Sequence, residues 1–304
     1  MMTLTLLVPI FALLALGFAA ARSGLITAEA NGGLLKLVAC FAIPALLFRS
    51  LAEGAQAAGD GEIALIYLLG CAALLVVAFI YGRLALGLSL AECVVFGMGV
   101  IYSNSSLIGV PIAQALLGNQ GVALLSQIIA IHTLVLIPLA TLLLAFGNSA
   151  RGGSNALISA ISNPMTVALA AGLVWRRTGL AVPEPIDHVI GMLAAAAPAL
   201  SLIALGATVA RVPLPTNFAA PVASVVLKLV IHPLLIWSIA QAMGLPREQI
   251  LIATMTAALP PGINVYVMAS HFGRHAEDAA RSFALATTLS AVSISIVVQA
   301  IAWR

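Results

Sequence analysis

The chain has 304 residues, of which 62% are hydrophobic and only 8% are charged, with a formal net charge of +3. Soluble domains carry about 25% charged residues, so these charges are too few to coat a soluble protein of this size. The composition predicts a protein embedded in a lipid bilayer, and its scattered Lys and Arg residues give no nucleic-acid-binding surface.

Charges and clusters of Gly, Pro and Asn divide the chain into ten apolar spans. Stretches such as residues 63–80 are apolar on every face. A lipid-embedded helix tolerates this pattern, whereas a barrel strand alternates apolar and polar residues. We therefore expect an all-α membrane protein with ten transmembrane helices, the first of them retained because residues 1–21 lack the basic start of a signal peptide. The spans cover residues 3–21, 33–52, 62–86, 92–117, 120–147, 156–178, 187–210, 218–243, 248–271 and 282–303.

The distribution of Lys and Arg predicts the orientation. Seven of these residues lie on the side of the loop between spans 1 and 2, and five lie on the opposite side. Because positive charge is enriched in the cytoplasm, we expect a multi-pass inner-membrane protein with both termini outside the cytoplasm.

The three cysteines, Cys40, Cys71 and Cys93, lie in apolar segments without C-x-x-C spacing. We interpret them as small hydrophobic residues and expect no disulfide, metal site or cofactor.

The first and second halves of the chain share an ordered set of residues. Pro9 and Gly17 of the first span, and Arg22 and Glu29 just after it, recur 155 positions later as Pro164, Gly172, Arg177 and Glu184. Each half has five spans, an odd number, so the second copy enters the membrane from the opposite side. The sequence predicts two inverted five-helix repeats, at residues 1–147 and 156–304, an architecture typical of secondary carriers.

Spans 4 and 9, equivalent in the two repeats, are both interrupted near their centres. Residues 102–111 read Tyr-Ser-Asn-Ser-Ser-Leu-Ile-Gly-Val-Pro, and residues 259–264 read Leu-Pro-Pro-Gly-Ile-Asn. Backbone groups freed at that depth must line a cavity or meet polar ligands, and paired breaks indicate a carrier's binding site. Lone prolines such as Pro44 and Pro138 we interpret as ordinary kinks. The candidate substrate-binding residues are Ser103, Asn104, Ser105, Gly109, Pro111, Pro260, Pro261, Gly262 and Asn264.

Three basic side chains lie near the middle of predicted spans. Lys228 is about ten residues into span 8, with His232 one turn later on the same face, and His132 lies in span 5. A cation at mid-bilayer usually faces a cavity or a partner, so we expect Lys228 and His232 to serve the cargo or a coupling proton. A lysine that snorkels to the interface and a merely packed His132 remain open alternatives.

The acidic residues fall in loops or at span ends, which leaves no carboxylate to hold a cation inside the membrane. The cargo is therefore predicted to be an anion, in keeping with two half-helix N-termini at the breaks. The ten acidic residues are Glu29, Glu53, Asp60, Glu62, Glu92, Glu184, Asp187, Glu248, Glu277 and Asp278.

These motifs resemble the auxin efflux carrier family, in its bacterial branch, over the whole chain. The family pattern N-x-x-x-x-G-x-P is matched in span 4, and A-L-P-x-G-I is matched in span 9. Asn163-Pro164 and the segment from Lys228 to Pro233 are also similar. The matching residues of the two patterns are Asn104, Gly109, Pro111, Ala258, Leu259, Pro260, Gly262 and Ile263.

The resemblance implies a sodium/bile-acid-symporter-like fold. Spans 1, 2, 6 and 7 would form a scaffold, and spans 3–5 and 8–10 a transport domain in which spans 4 and 9 cross. Family members carry organic acids: auxin in plants, malate or malonate in some bacteria. Plant members have a proline where this chain has Val265 and a long loop where it has residues 148–155, so we do not expect auxin as the cargo. We expect a homodimer.

The predicted function is secondary transport of a small carboxylate by elevator-type alternating access, with H⁺, Na⁺ or exchange left open as the coupling mode. Two alternatives belong to other classes. An intramembrane enzyme would need a motif such as the G-x-S-x-G elbow or an Asp-rich metal site, and the sequence has neither. A passive channel would not require paired broken helices.

Overall fold

The computed structural model describes residues 2–52, 61–146, 162–212, 219–262, 264–265, 269 and 276–302. Every regular element in these ranges is a helix, which confirms the all-α class, and six helices are long and apolar enough to cross a membrane. The count of ten spans and their inverted arrangement stay predictions.

The described residues of the first half form seven α-helices and three π-helical segments. They are α1 (Met2–Arg22), α2 (Ala28–Leu37), π1 (Val38–Ala42), α3 (Ile43–Ala52), α4 (Glu62–Leu84), α5 (Leu90–Ile101), π2 (Ser105–Gly109), α6 (Val110–Ile131), π3 (His132–Leu136) and α7 (Ile137–Phe146). Inside α6, Gly118 adopts φ 58° and ψ −142°, a left-handed conformation that glycine adopts without strain. This turn lies where the sequence predicts the break between spans 4 and 5.

In the second half, six α-helices and one π-helical segment have described bounds. They are α8 (Pro164–Thr178), α9 (Glu184–Val209), α10 (Ala219–Val226), π4 (Leu227–Ile231), α11 (His232–Ala242), α12 (Arg247–Ala257) and α13 (Ala276–Ala302). The last helix begins six residues earlier than predicted. Glu277 and Asp278 lie in its first turn, where carboxylates favour a helix N-terminus, and both pair with Arg281.

A proline follows each of the four described π-helical segments at the same spacing. The segments end two residues before Pro44, Pro111, Pro138 and Pro233. Proline has no N–H, so the carbonyl four residues earlier loses its donor and the ladder of hydrogen bonds is locally rearranged. Pro44 and Pro138 therefore widen a helical turn, which the expectation of ordinary kinks did not include.

The freed carbonyl in π4 has a new donor. Pro233 cannot donate to the Leu229 carbonyl, and the Ser293 hydroxyl of α13 donates to that oxygen at 2.7 Å. A side chain of a neighbouring helix thus satisfies the backbone group that the proline leaves unpaired, as a lipid-embedded helix requires.

The described residues group into two compact units. The first draws on Met1–Asp60, Ser106–Ala130 and Ile161–Arg211. Within it, α1 packs against α9 and α3 against α8. A Cβ atom on Gly17 would lie 2.1 Å from the Ile203 carbonyl oxygen, and one on Gly172 would lie 2.9 Å from that of Phe48. Small residues thus let these helix backbones approach closely.

The second unit draws on Gly61–Ser105, Ile131–Ala160 and Val212–Arg304. In it, α4 packs against α5 and α11, α12 packs against α11 and α13, and α10 packs against α13. It holds π3, π4 and the residues around the breaks that follow α5 and α12.

Candidate functional site

The two predicted breaks meet in the second unit. The chain leaves the helix after Ile101 and again after Ala257, and Ser103 and Pro261 then form an isolated antiparallel bridge. The Asn104 N–H donates to the Pro260 carbonyl at 2.8 Å, and the Gly262 N–H donates to the Tyr102 carbonyl at 3.0 Å. Each broken helix therefore satisfies backbone groups of the other. We call residues 102–104 and 260–262 the crossover.

Proline and glycine explain why the second strand of the crossover stays extended. Pro260 and Pro261 have no N–H and cannot continue the hydrogen bonds of α12. A Cβ atom on Gly262 would lie 2.5 Å from the Tyr102 ring, so only glycine fits there.

Lys228 binds the crossover from π4. The residue is fully buried, and its Nζ donates to the Ser103 hydroxyl at 2.5 Å and to His232 Nδ1 at 3.1 Å. Among the residues that the structure describes, no carboxylate forms an ion pair with it. A snorkelling lysine would keep its ammonium group in contact with water, so that alternative does not fit the observed burial.

Two further side chains extend this network. The Tyr67 hydroxyl lies 2.9 Å from the Ser103 Oγ, and the Cys71 Sγ lies 3.7 Å from His232 Nε2. Both residues belong to α4 and are fully buried. Together with Ser103, Lys228 and His232, these residues bring hydroxyl, thiol, imidazole and ammonium groups close together beside the crossover.

His132 lies on the other side of the same segment, at the start of π3. Its Nδ1 is 3.1 Å from the Ser105 hydroxyl, and its ring packs 4.6 Å from that of Tyr102. The other ring nitrogen, Nε2, is buried and has no hydrogen-bond partner in the described part of the chain. His132 is therefore packed against the crossover and retains one unused polar atom.

The two predicted asparagines occupy different environments. Asn104 is 4% exposed, whereas Asn264 is exposed and donates to the Tyr102 hydroxyl at 3.0 Å. The sequence predicts twelve site residues, nine for the substrate and three basic ones. Ten of these twelve, including both asparagines, lie in the second unit. The remaining two, Gly109 and Pro111, are buried in the first unit, on π2 and α6.

One carboxylate comes closer to the crossover than the sequence indicates. Asp278 lies in the first turn of α13, as expected for a helix end, but it lines a small cavity with Pro261 and Gly262. Its position at a helix end agrees with the sequence prediction, and the early start of α13 brings this first turn beside the crossover.

A larger groove, of about 980 Å³, lies elsewhere in the second unit. Its walls come from π4, α11, α12 and α13 and include Leu229, Trp237, Leu289 and Ile296. An anion site needs convergent polar groups, but in this groove Arg247 already donates to the Ile301 carbonyl and Ser293 to the Leu229 carbonyl. The polar cluster at the crossover is thus the better candidate for binding an anion.

Sequence reasoning missed Tyr67 and Cys71 as members of the site. In a span that is apolar on every face, neither residue has a neighbour that marks it. A tyrosine near the middle of a span is still a usable signal, because its buried hydroxyl needs a partner.

The chain matches a known family and several curated proteins. The model of the family described as "Membrane transport protein" matches residues 2–298. The "Putative malonate transporter" of Rhizobium meliloti (strain 1021) is 26% identical, over 95% of this chain and 93% of the relative. Auxin efflux carrier component 8 of Arabidopsis thaliana is 25% identical, over 89% of each chain. The uncharacterized transporter YfdV of Escherichia coli (strain K12) is 25% identical, over 92% of this chain and 91% of the relative. The chain therefore belongs to the family of membrane transport proteins that includes the auxin efflux carriers, and it is a transporter rather than an enzyme.

Proposed function

We propose that this transporter is a secondary active carrier that moves a small organic anion, a carboxylate such as malonate or malate, across the bacterial inner membrane. One observation carries the proposal. The Lys228 ammonium group is fully buried, binds Ser103 of the crossover, and forms no ion pair with a carboxylate of the described residues.

A buried ammonium group without a counter-ion is energetically unfavourable in a membrane protein. A carboxylate cargo supplies the missing negative charge and accepts hydrogen bonds from the ammonium and hydroxyl groups already gathered there. Ser103 would hold Lys228 in place, and His232, at 3.1 Å from its Nζ, would accept or return a proton as the cargo arrives and leaves.

The relatives support an anionic cargo. One of them is named as a malonate transporter and another as an auxin efflux carrier component, and both ligands are carboxylates. Since Val265 and the short segment of residues 148–155 differ from the plant pattern, we favour a small dicarboxylate over auxin.

The mechanism that we propose is elevator-type alternating access. Lys228, His232, His132 and the crossover lie in spans 4, 5, 8 and 9. These belong to the proposed transport domain of spans 3–5 and 8–10, which would carry the cargo while spans 1, 2, 6 and 7 serve as the scaffold. The substrate site would also include Gly109 and Pro111. We also propose that the protein is a homodimer with both termini outside the cytoplasm. Its transport would be coupled to H⁺, to Na⁺ or to exchange.

Counterflow in proteoliposomes tests the proposal. Vesicles loaded with unlabelled malonate should accumulate labelled malonate transiently, as a carrier does and a passive channel does not. Lys228→Met should reduce the initial rate by at least about tenfold, because a charge-assisted hydrogen bond contributes about 1.5–3 kcal/mol.

Lys36 provides a matched control. It is the only other lysine, lies in the same Leu-Lys-Leu-Val sequence and is exposed. Lys36→Met should transport at the wild-type rate, and Lys228→Arg should rescue only partly, since arginine pairs with an anion but does not release a proton. Normal transport by Lys228→Met across pH 5–8 would contradict the proposal.

A further inference from the structure

The apolar groove of the second unit is long and lies apart from the crossover. Its volume of about 980 Å³ is large for a ligand pocket. Along α13 the groove extends from Leu289 to Ile301, which is about 18 Å of helix. One leaflet of a bilayer has an apolar thickness of about 15 Å, so the groove spans about one leaflet.

Polar side chains lie at one end of the groove. Gln241 is near the end of α11 and Arg247 begins α12. The Ile301 carbonyl, in the last turn of α13, accepts hydrogen bonds from Arg247 Nε at 3.1 Å and Nη2 at 2.9 Å. Trp237, one turn before Gln241, also lines the groove, and tryptophan is enriched at membrane–water interfaces. We infer that this end lies at the level of the lipid head groups, and that the end at Leu289 lies inside the bilayer.

Arg247 gives the polar end a positive charge. Its side chain is exposed, and among the described residues no carboxylate forms an ion pair with it. A guanidinium group has five N–H donors, of which the Ile301 carbonyl takes two, so three stay available. Glu248 lies in the same helical turn but does not line the groove. Because arginine binds phosphate through paired hydrogen bonds, an anionic phosphate group suits this end.

A buried hydroxyl lies deeper along the same wall. Thr254 lines the groove two turns after Arg247, is 2% exposed, and has no hydrogen-bond partner for its hydroxyl in the described residues. By contrast, the Thr256 hydroxyl donates to the Ile252 carbonyl at 2.6 Å. Buried hydroxyls are nearly always hydrogen-bonded, so an unpaired one in the wall of a groove indicates a polar group of a ligand. Threonine has two rotamers in a helix, which lets this hydroxyl turn toward the groove.

We propose that the groove binds one molecule of an anionic phospholipid. Its phosphate accepts hydrogen bonds from Arg247 at the membrane surface, a glycerol ester carbonyl accepts one from Thr254, and its acyl chains lie along the apolar walls. The order of charge, polar group and hydrocarbon from the membrane surface inward is that of a phospholipid. A small free anion does not suit the groove, because it has no apolar part to fill the remaining length.

The lipid would contact the segment that positions Lys228. Leu229 and Val230 of π4 line the groove, and π4 also contains Lys228. A lipid packed against them would stabilise this π-helical segment and so favour transport. This role rests on the proposed function, whereas lipid binding itself does not.

Thermal unfolding of the purified protein in detergent tests binding. Phosphatidylglycerol, whose head group is anionic, should raise Tm by about 5 °C, as expected for a ligand at a concentration well above its Kd. Phosphatidylcholine with the same acyl chains should raise Tm less, because its head group has no net charge. Glycerol 3-phosphate should leave Tm unchanged, because it has no chains to fill the apolar walls.

Three results of this experiment would overturn the proposal. The first is an equal Tm with the two lipids, and the second is an equal rise with glycerol 3-phosphate, which would indicate a site for free phosphate. The third is a Tm that rises with protein concentration but not with phosphatidylglycerol, which would indicate a second copy of the chain as the occupant.

Variants locate the site. Arg247→Gln should lose the difference in Tm between the two lipids. Arg83→Gln should retain that difference, since Arg83 also donates to a backbone carbonyl, that of Leu88, but lies outside the groove. Ile296→Trp should reduce the rise with either lipid by filling the groove, whereas Val76→Trp should not; the native side chains are 62% and 58% exposed.

The groove-filling variant keeps the test valid even if Arg247→Gln fails to fold through the loss of its carbonyl partner. A full lipid-dependent rise in Ile296→Trp would overturn the proposal. Thr254→Val removes the hydroxyl and keeps the shape of the side chain, so it should reduce the rise with either lipid. An unchanged rise in Thr254→Val would overturn the role of that hydroxyl alone.

Uptake of labelled malonate into proteoliposomes separates binding from its role in transport. The wild type should transport faster in vesicles that contain phosphatidylglycerol than in phosphatidylcholine alone, and Ile296→Trp should transport at the slower rate in both. Equal wild-type rates in the two vesicles, in a protein that phosphatidylglycerol stabilises, would overturn the transport role alone. A protein that phosphatidylglycerol stabilises but that transports no carboxylate in either vesicle would overturn the proposed function.

Discussion

Asn104 lies where the two broken helices pair. Its N–H donates to the Pro260 carbonyl at 2.8 Å, and its side chain is 4% exposed. A carboxamide offers both donors and an acceptor, and its donors suit a carboxylate cargo beside Lys228.

We predict that Asn104→Ala lowers kcat/KM for malonate uptake by about 10–100-fold, the loss expected for one hydrogen bond to a charged group. The fold should persist, because the backbone bond to Pro260 does not need the side chain. Uptake by reconstituted protein measures the effect, and the exposed Asn119→Ala is the control. A wild-type rate in Asn104→Ala would show that the cargo binds elsewhere.

Among single residues, the sequence predicts the roles of those whose type is unusual in its surroundings. Lys228 stands out as a charge inside an apolar span, and the asparagines stand out at breaks rich in Gly and Pro. Tyr67 does not, because its role depends on the 2.9 Å approach of Ser103 from a segment 36 residues away.

Prolines act on whole elements of this protein. Each π-helical segment in the described chain ends two residues before a proline, and three of the four hold predicted site residues. A π-helical turn changes which way the following side chains face. Lys228 lies within π4 and His232 directly after it, so the orientation of both depends on Pro233.

We predict that Pro233→Ala lets the Leu229 carbonyl regain its helical partner, turning Lys228 away from Ser103. Malonate uptake should fall at least about tenfold, since a mispositioned charge loses most of a bond worth about 1.5–3 kcal/mol. Pro44→Ala is the matched control, because π1 in the first unit carries none of the predicted site residues. If both variants transport equally well, π4 does not position the lysine.

The breaks in spans 4 and 9 could be predicted because their Pro and Gly residues cluster. The paired backbone of the crossover could not, because Gly262 and Tyr102 are 160 positions apart and nothing local marks them as partners. The π-helical turns could have been predicted from the prolines, because each proline leaves the carbonyl four residues earlier without its helical donor.

The two halves of the molecule use equivalent contacts in the first unit. Gly17 lies against Ile203, and Gly172 lies against Phe48. Gly172 is 155 positions after Gly17, and Ile203 is 155 positions after Phe48. This correspondence supports the proposed inverted repeat, because a two-fold relation between halves would generate both contacts from one.

Orientation is a prediction for the whole molecule. The excess of Lys and Arg on one side predicts both termini outside the cytoplasm. Alkaline phosphatase fused after Arg304 should therefore be active. A green fluorescent protein fused at the same residue, and exported through the Sec pathway, should not fluoresce. The same reporters inserted after Gly152, on the predicted cytoplasmic side, should give the reverse. An inactive phosphatase at Arg304 would invert the assignment of every loop.

Cys71 is a native thiol that can be labelled with a dye. The thiol is fully buried, 3.7 Å from His232 and 3.9 Å from the Ile101 carbonyl, while Cys40 is exposed and Cys93 is buried at a separate position. In a Cys40→Ala/Cys93→Ala background, a small maleimide dye can attach only where the polar cluster opens to water. The labelling rate would then report, without engineered cysteines, how often the loaded and unloaded carrier exposes its centre.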